Sequence, residues 1–324
     1  MTMFHGFRHH WRRFGPHRIR HSRYAYRQFK RRDRRRDRQF ISPREDVQYV
    51  CNSTDFFECA EEQVVGMLQR RPEVHDLDRD ISRLRKKFTR SNNAHDGLVA
   101  LLVQVPRAVL AQIQMDQHPH GYRNKQERLF ELIDFNDTLV ATVMLLDDAK
   151  RMRFSEATKQ CADRICKRVG APCFTDEQWT AIIRGLTREI ALYYAAINNG
   201  FHAHMTDRSH DAMGIDMQVL DPEDGRYVNI DVKTPSSFRH RLDELVNEGR
   251  LTEHERLRAD EQSYVVVMNG HGIQRAQTIL LCILPDTFGD LAYFRFVNDI
   301  PARDMLNRII REHGLTDNRF GYLY

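Results

Sequence analysis

The chain has 324 residues, 41% of them hydrophobic, and a net charge of +5 from 50 Lys and Arg against 45 Asp and Glu. That is enough for a sizeable core in one or two domains after a tail. Apolar runs fall short of the roughly 20 residues of a spanning helix, and the first 20 residues lack the apolar stretch of a secretory signal. An intracellular protein, cytoplasmic or nucleoid-associated and without a membrane partner, is expected.

The first 40 residues hold 13 Arg and one Lys against Asp33 and Asp37, a local charge of +12, so residues 41–324 must carry −7 for the chain to total +5. A block of like charge repels itself and stays solvated, so residues 1–45 are expected to form a disordered Arg-rich tail. Phe4, Phe7, Trp11, Phe14, Tyr24, Tyr26 and Phe29 lie among these charges. Arg pairs with phosphate and stacks on bases, and aromatics add sequence-tolerant stacking, so the tail is read as a nucleic-acid anchor. An Arg-rich transit peptide is the weaker alternative, because one Ser precedes Ser42 and no apolar helical face develops.

Residues 46–172 read as a helical domain. Apolar spacing predicts helices over 55–69, 77–88, 94–105, 107–115, 126–146 and 155–169, with a break before Pro106. Cys51, Cys59, Cys161, Cys166, Cys173 and Cys282 form no Cys-x-x-Cys pair, so reduced, buried thiols are expected rather than a zinc site. The chain has no Gly-rich phosphate loop either, and an ATP requirement is not indicated.

Residues 173–324 read as an α/β domain. Thr175-Asp176-Glu177-Gln178 is a capping-box pattern opening a helix whose apolar stripe runs through Ile182, Leu186, Ile190, Tyr193 and Ile197. Glu189 falls at the margin of that stripe, where a carboxylate must snorkel to water, find a partner or meet a cation. An extended segment at 201–205 carries His202 and His204, which are candidates for substrate contact.

Two alternating segments, Gly214 to Val219 and Val228 to Pro235, flank the turn-like stretch Asp221-Pro222-Glu223-Asp224-Gly225-Arg226 and predict a hairpin. A turn symmetric about Glu223 and Asp224 sets Asp216 opposite Asp231, with Gln218 on the face of Asp216 and with Asn229, Asp231 and Lys233 sharing a face. Like charges facing each other cost roughly 0.2 to 1 kcal/mol, which a hard divalent cation would offset. Taken alone, an Asp-x-Lys triplet is more often just part of a solvated strand face. Beyond it, a helix is predicted over 239–251, strands over 263–268, 278–284 and 291–297, and a last helix over 302–313.

A helix bearing Glu189, an extended segment, a strand with Gly-Ile-Asp216, a strand with Asp231-x-Lys233, a helix and an apolar strand at 264–268 resemble the PD-(D/E)xK nuclease superfamily over residues 175–270. Ile215 stands where Pro is common, and Asp231 where Glu is commoner. The resemblance implies a restriction-endonuclease-like fold, a mixed central sheet flanked by helices, for residues 173–324. It also implies Mg²⁺, with Mn²⁺ as a substitute, ligated by Asp216, Asp231 and the Val232 carbonyl. Lys233 would then activate water or stabilise phosphate charge, and Glu189 would assist. The expected activity is metal-dependent endonucleolytic hydrolysis of DNA, with a homodimer compatible with two-strand cleavage. The alternative is an inactive nuclease fold that binds nucleic acid or assembles with partners.

Overall fold

The computed structural model of the chain describes residues 53–70, 74–117, 130–206, 214–269 and 276–316. The Arg-rich tail, and the predicted start of a helix at 126, lie outside the described residues. From residue 53 on, the described residues belong to one compact unit of mixed α/β structure, mainly helical.

The first part is a bundle of α1 (Phe56–Arg70), α2 (Val74–Ser91), α3 (Ala94–Asp116), α4 (Phe130–Met144) and α5 (Asp148–Val169). Local signals set its ends. Asn93 and Asp147 cap the starts of α3 and α5 through their side chains, and Gly170 closes α5 in the left-handed conformation at φ 67°. The bundle is built around α3, which α1, α2, α4 and α5 all contact. Burial on all sides explains why α3 runs straight through Pro106 instead of ending before it, as the sequence predicts. Its packing outweighs the roughly 3 kcal/mol that an interior proline costs. By length and composition α3 could cross a membrane, yet 72% of its apolar window is buried within the protein, as in a core helix.

The second part follows α6 (Asp176–Asn198), opened by the reciprocal Thr175/Gln178 capping box that the sequence announces. A five-stranded sheet has the spatial order β1-β2-β3-β5-β4, from β1 (His202–Met205), β2 (Met217–Leu220), β3 (Tyr227–Lys233), β4 (Tyr264–Asn269) and β5 (Ala276–Cys282). All neighbours are antiparallel except β3 and β5, which run parallel. Side-chain alternation gives the sheet a core on each face. Val228, Ile230 and Val232 pack with Ala191, Leu192 and Ala195 of α6 and with α10 (Ile300–His313). On the other face α7 (Pro235–Asn247) and α8 (Glu253–Gln262) bring Phe238, Leu242, Leu245 and Ala259 against Leu280 and Cys282. The result is an α/β/α sandwich, and α6 ties it to the bundle, since its Trp179, Leu186 and Ile190 belong to the bundle core.

Three expectations need correction. The predicted helix at 239–251 begins earlier, because Thr234 caps it and Pro235 supplies its first residue; α8, with its own Thr252/Glu255 capping box, follows. The predicted strand at 291–297 is a separate hairpin, β6 (Leu291–Ala292) and β7 (Arg295–Phe296), after the short α9 (Pro285–Phe288). Its turn residues Tyr293 and Phe294 have φ of 49° and 65°. No Gly or Asn marks that turn. It is held by Phe294, 2% exposed, which packs edge-on against Phe154 of the bundle at 5.8 Å. Finally, Cys59 is disulfide-bonded rather than reduced, while Cys161, Cys166, Cys173 and Cys282 are free thiols.

Neighbouring side chains crowd the bundle at Gly97 of α3, where an added Cβ would meet Thr142 Oγ1 at 2.6 Å and the Phe88 ring at 2.8 Å. Helix propensity favours Ala over Gly by about 0.8 to 1 kcal/mol, whereas overpacking a dense core costs about 1 to 3 kcal/mol. Gly97→Ala is therefore expected to lower the unfolding free energy, measured by chemical denaturation, by a net ~1 kcal/mol; an unchanged or higher value contradicts this packing.

Candidate functional site

The residues singled out in the sequence sit where α6 passes the ends of two parallel strands. Lys233 is the last residue of β3 and is in register with Cys282, the last of β5. The Ile283 amide bonds the Lys233 carbonyl at 3.4 Å, and Arg188 of α6 donates to the Ile283 carbonyl at 3.5 Å. Glu189, the next residue of α6, is half-buried.

Asp216 lies just outside β2. The ladder between β2 and β3 runs from Leu220↔Tyr227 to Met217↔Ile230, the register set by a turn centred on Glu223 and Asp224. One step further it slips. The Asp216 amide donates to the Ile230 carbonyl at 2.8 Å, so Asp216 and Met217 both address Ile230, as in a β-bulge. Thr206 fixes the slip, its amide bonding the Asp216 carbonyl at 3.0 Å and its hydroxyl the Ile215 carbonyl. A continued ladder would have offered that Ile215 carbonyl to the Val232 amide. Instead the Asp216 carboxylate takes its place, Oδ2 accepting from Val232 N–H at 2.7 Å. The simple alternation that puts Asp216 on the face of Gln218 and opposite Asp231 is thereby interrupted, because bulges re-aim side chains.

Asp231 is 3% exposed. Lys233 Nζ donates to Asp231 Oδ1 and, at 3.3 Å, to the Val232 carbonyl. Burial alone pulls the Lys233 ammonium towards deprotonation, but Asp231, then Asp216, the Asp231 hydrogen bond and Glu189 outweigh it. Its pKa lies above the ordinary lysine value. Lys233 thus couples to carboxylates from α6, the start of β2 and the end of β3.

Among the described residues no three His, Cys, Asp or Glu side chains form a group able to hold a metal ion. The three carboxylates converge on Lys233 without converging on one another as a ligand triad. Two carboxylates and a main-chain carbonyl are nevertheless hard oxygen donors, and Mg²⁺ commonly takes one or two carboxylates and fills its shell with water. Lys233 Nζ touches two of these donors, Asp231 and the Val232 carbonyl. The donor set thus suits a cation and in this state receives the chain's own.

Polar residues elsewhere on the sheet complete the picture. Gln218 and Asn229 are buried register partners, and Gln218 Nε2 donates to Asn229 Oδ1 at 2.6 Å. His202 and His204 are exposed on the edge strand β1, His204 in register with Gln218. A cavity of about 360 Å³ lined by Pro235, Phe238, Arg239 and Cys282 adjoins the end of β5, and another of about 510 Å³ lies between α5, α6 and the Tyr293–Phe294 turn; none of the four predicted catalytic residues lines either. The Cys282 thiol is inert, burial pushing its pKa up to about 11. No family model, curated protein or solved structure matches the chain.

A folded pKa raised above the unfolded value gives stability that is fully present below the unfolded pKa and is lost as pH rises through the folded one. In chemical denaturation, the stability of wild type relative to Lys233→Met is expected to be constant at neutral pH and to fall above about pH 10.4, the ordinary lysine value. Parallel pH profiles for the two proteins contradict the coupling.

Proposed function

We propose that the chain is a metal-dependent nuclease that hydrolyses phosphodiester bonds in DNA on a restriction-endonuclease-like α/β/α sandwich. The observation that carries the reading is Lys233, whose ammonium is coupled at once to Asp231, Asp216 and Glu189 at the ends of parallel β3 and β5. Open α/β sheets place ligands at the carboxyl ends of their strands. The order α6, β1, β2, β3, α7 agrees with the resemblance. One feature departs from it: the first strand after the helices, β4, is at the edge, and the strand beside β3 is β5.

In this reading Asp216, Asp231 and the Val232 carbonyl hold Mg²⁺, which when bound polarises the scissile phosphate and acidifies a water. Asp216 is positioned for this by the Val232 amide. Lys233, whose carboxylate neighbours outweigh burial and keep its pKa from falling, supplies positive charge to the phosphate rather than acting as a base. The start of α7 follows at Thr234 and Pro235, so the positive end of a helix dipole faces the same neighbourhood. The +12 tail against a −7 remainder supports nucleic acid as the partner. A binding or assembly module without turnover is the second reading, favoured by Lys233 already satisfying Asp231 and the Val232 carbonyl.

The test is nicking of supercoiled plasmid with Mg²⁺ or Mn²⁺. Wild type is expected to nick only with a divalent cation, and folded Asp231→Ala and Lys233→Ala to lose roughly 100-fold or more. Undiminished nicking by either variant, or cleavage without a divalent cation, refutes the site, and absent cleavage of DNA supports the binding reading.

A further inference from the structure

Among the described residues, none donates to the buried side-chain oxygen of Gln218. Gln218 is 6% exposed and Asn229 4%, and the two amides form a directed chain. Asn229 Nδ2 donates to the Gln277 carbonyl at 2.8 Å, which leaves Asn229 Oδ1 to accept from Gln218 Nε2. The orientation is fixed by chemistry, because a carbonyl can only accept; turning either amide would set oxygen against oxygen. Gln218 Oε1 is therefore the outward group, and no donor among the described residues reaches it. Buried acceptors in native proteins nearly always have a partner.

Its place in the sheet says what that partner is. Gln218 is in register with Asn229, and Asp231 follows two residues later on the same face of β3. The Gln218 amide is thus the diagonal neighbour of the Asp231 carboxylate, within reach of a long side chain. Mg²⁺ and Mn²⁺ bound by few carboxylates keep several waters, whose hydrogens are strong donors, and outer-shell acceptors orient such waters.

We infer that Gln218 is a positioning residue for a hydrated divalent cation at Asp231 and Asp216, its Oε1 accepting a hydrogen bond from a cation-bound water. This rests on the cation reading of the proposed function and adds to it a residue from the middle of β2 that touches neither phosphate nor cation directly.

The experiment is calorimetric titration of the full chain with Mn²⁺ alone, without nucleic acid, for wild type, Gln218→Met, Gln218→Glu, and Asp231→Asn, with the thermal midpoint of each cation-free protein as a check on folding. Wild type is expected to bind Mn²⁺ and Asp231→Asn to lose that binding. Gln218→Met, similar in size but without the oxygen, should bind about 10- to 100-fold more weakly. Gln218→Glu keeps an oxygen there, adds negative charge and should bind more tightly than wild type, which preserves the test if the methionine variant does not fold. Gln218→Met or Gln218→Glu binding just as wild type does, while Asp231→Asn fails to bind, overturns the role of Gln218 and leaves the cation site standing. Wild type binding no more Mn²⁺ than Asp231→Asn overturns both.

Discussion

A lysine at the end of a central strand, with its ammonium against a buried aspartate, is the constraint around which the α/β half is arranged. Lys233 side-chain exposure is 15% and that of Asp231 is 4%, so neither charge is hydrated as in water, and removing one partner would strand the other at a cost of about 3 to 5 kcal/mol. The pair fixes the end of β3, and what surrounds it follows. Asp216 is drawn to the Val232 amide, α6 brings Glu189 within electrostatic range, and α7 must start at once, at Thr234. A buried ion pair is weak evidence of stability by itself; three carboxylates coupled to one ammonium form the kind of perturbed charge cluster that marks a candidate functional site.

The two halves contribute differently. The bundle packs around α3 and is joined to the sandwich by α6, whose first half packs in one core and second half in the other, and by Phe294 of the β6–β7 hairpin. Glu189 lies between Leu186 and Ile190 of the bundle core and Ala191 and Leu192 of the sheet core. The position of this carboxylate relative to β3 is thus set by both cores.

Much of this was written locally in the chain. The capping box at Thr175, the turn at 221–226 and the alternation on both sides of it defined α6, the hairpin and its register, because caps and period-two patterns depend on near neighbours. The four site residues were legible as polar positions on elements whose other faces are apolar. What could not be read depended on distant partners. The slip at Asp216 comes from Thr206, the continuity of α3 through Pro106 from four surrounding helices, and the Tyr293–Phe294 turn from a phenylalanine seated in the bundle. Gln218 and Asn229 were placed on faces by alternation, but their burial as a hydrogen-bonded pair, with one oxygen left over, required the whole sheet.

The claim that Lys233 gathers carboxylates from three separate elements is tested most directly by NMR titration of its Nζ in the intact chain and in Glu189→Gln, since Glu189 comes from α6 and shares no strand with Lys233. A pKa above the ordinary lysine value that falls when Glu189 is neutralised is the result expected from the geometry. A Lys233 that titrates as an ordinary lysine, or one indifferent to Glu189, would contradict it.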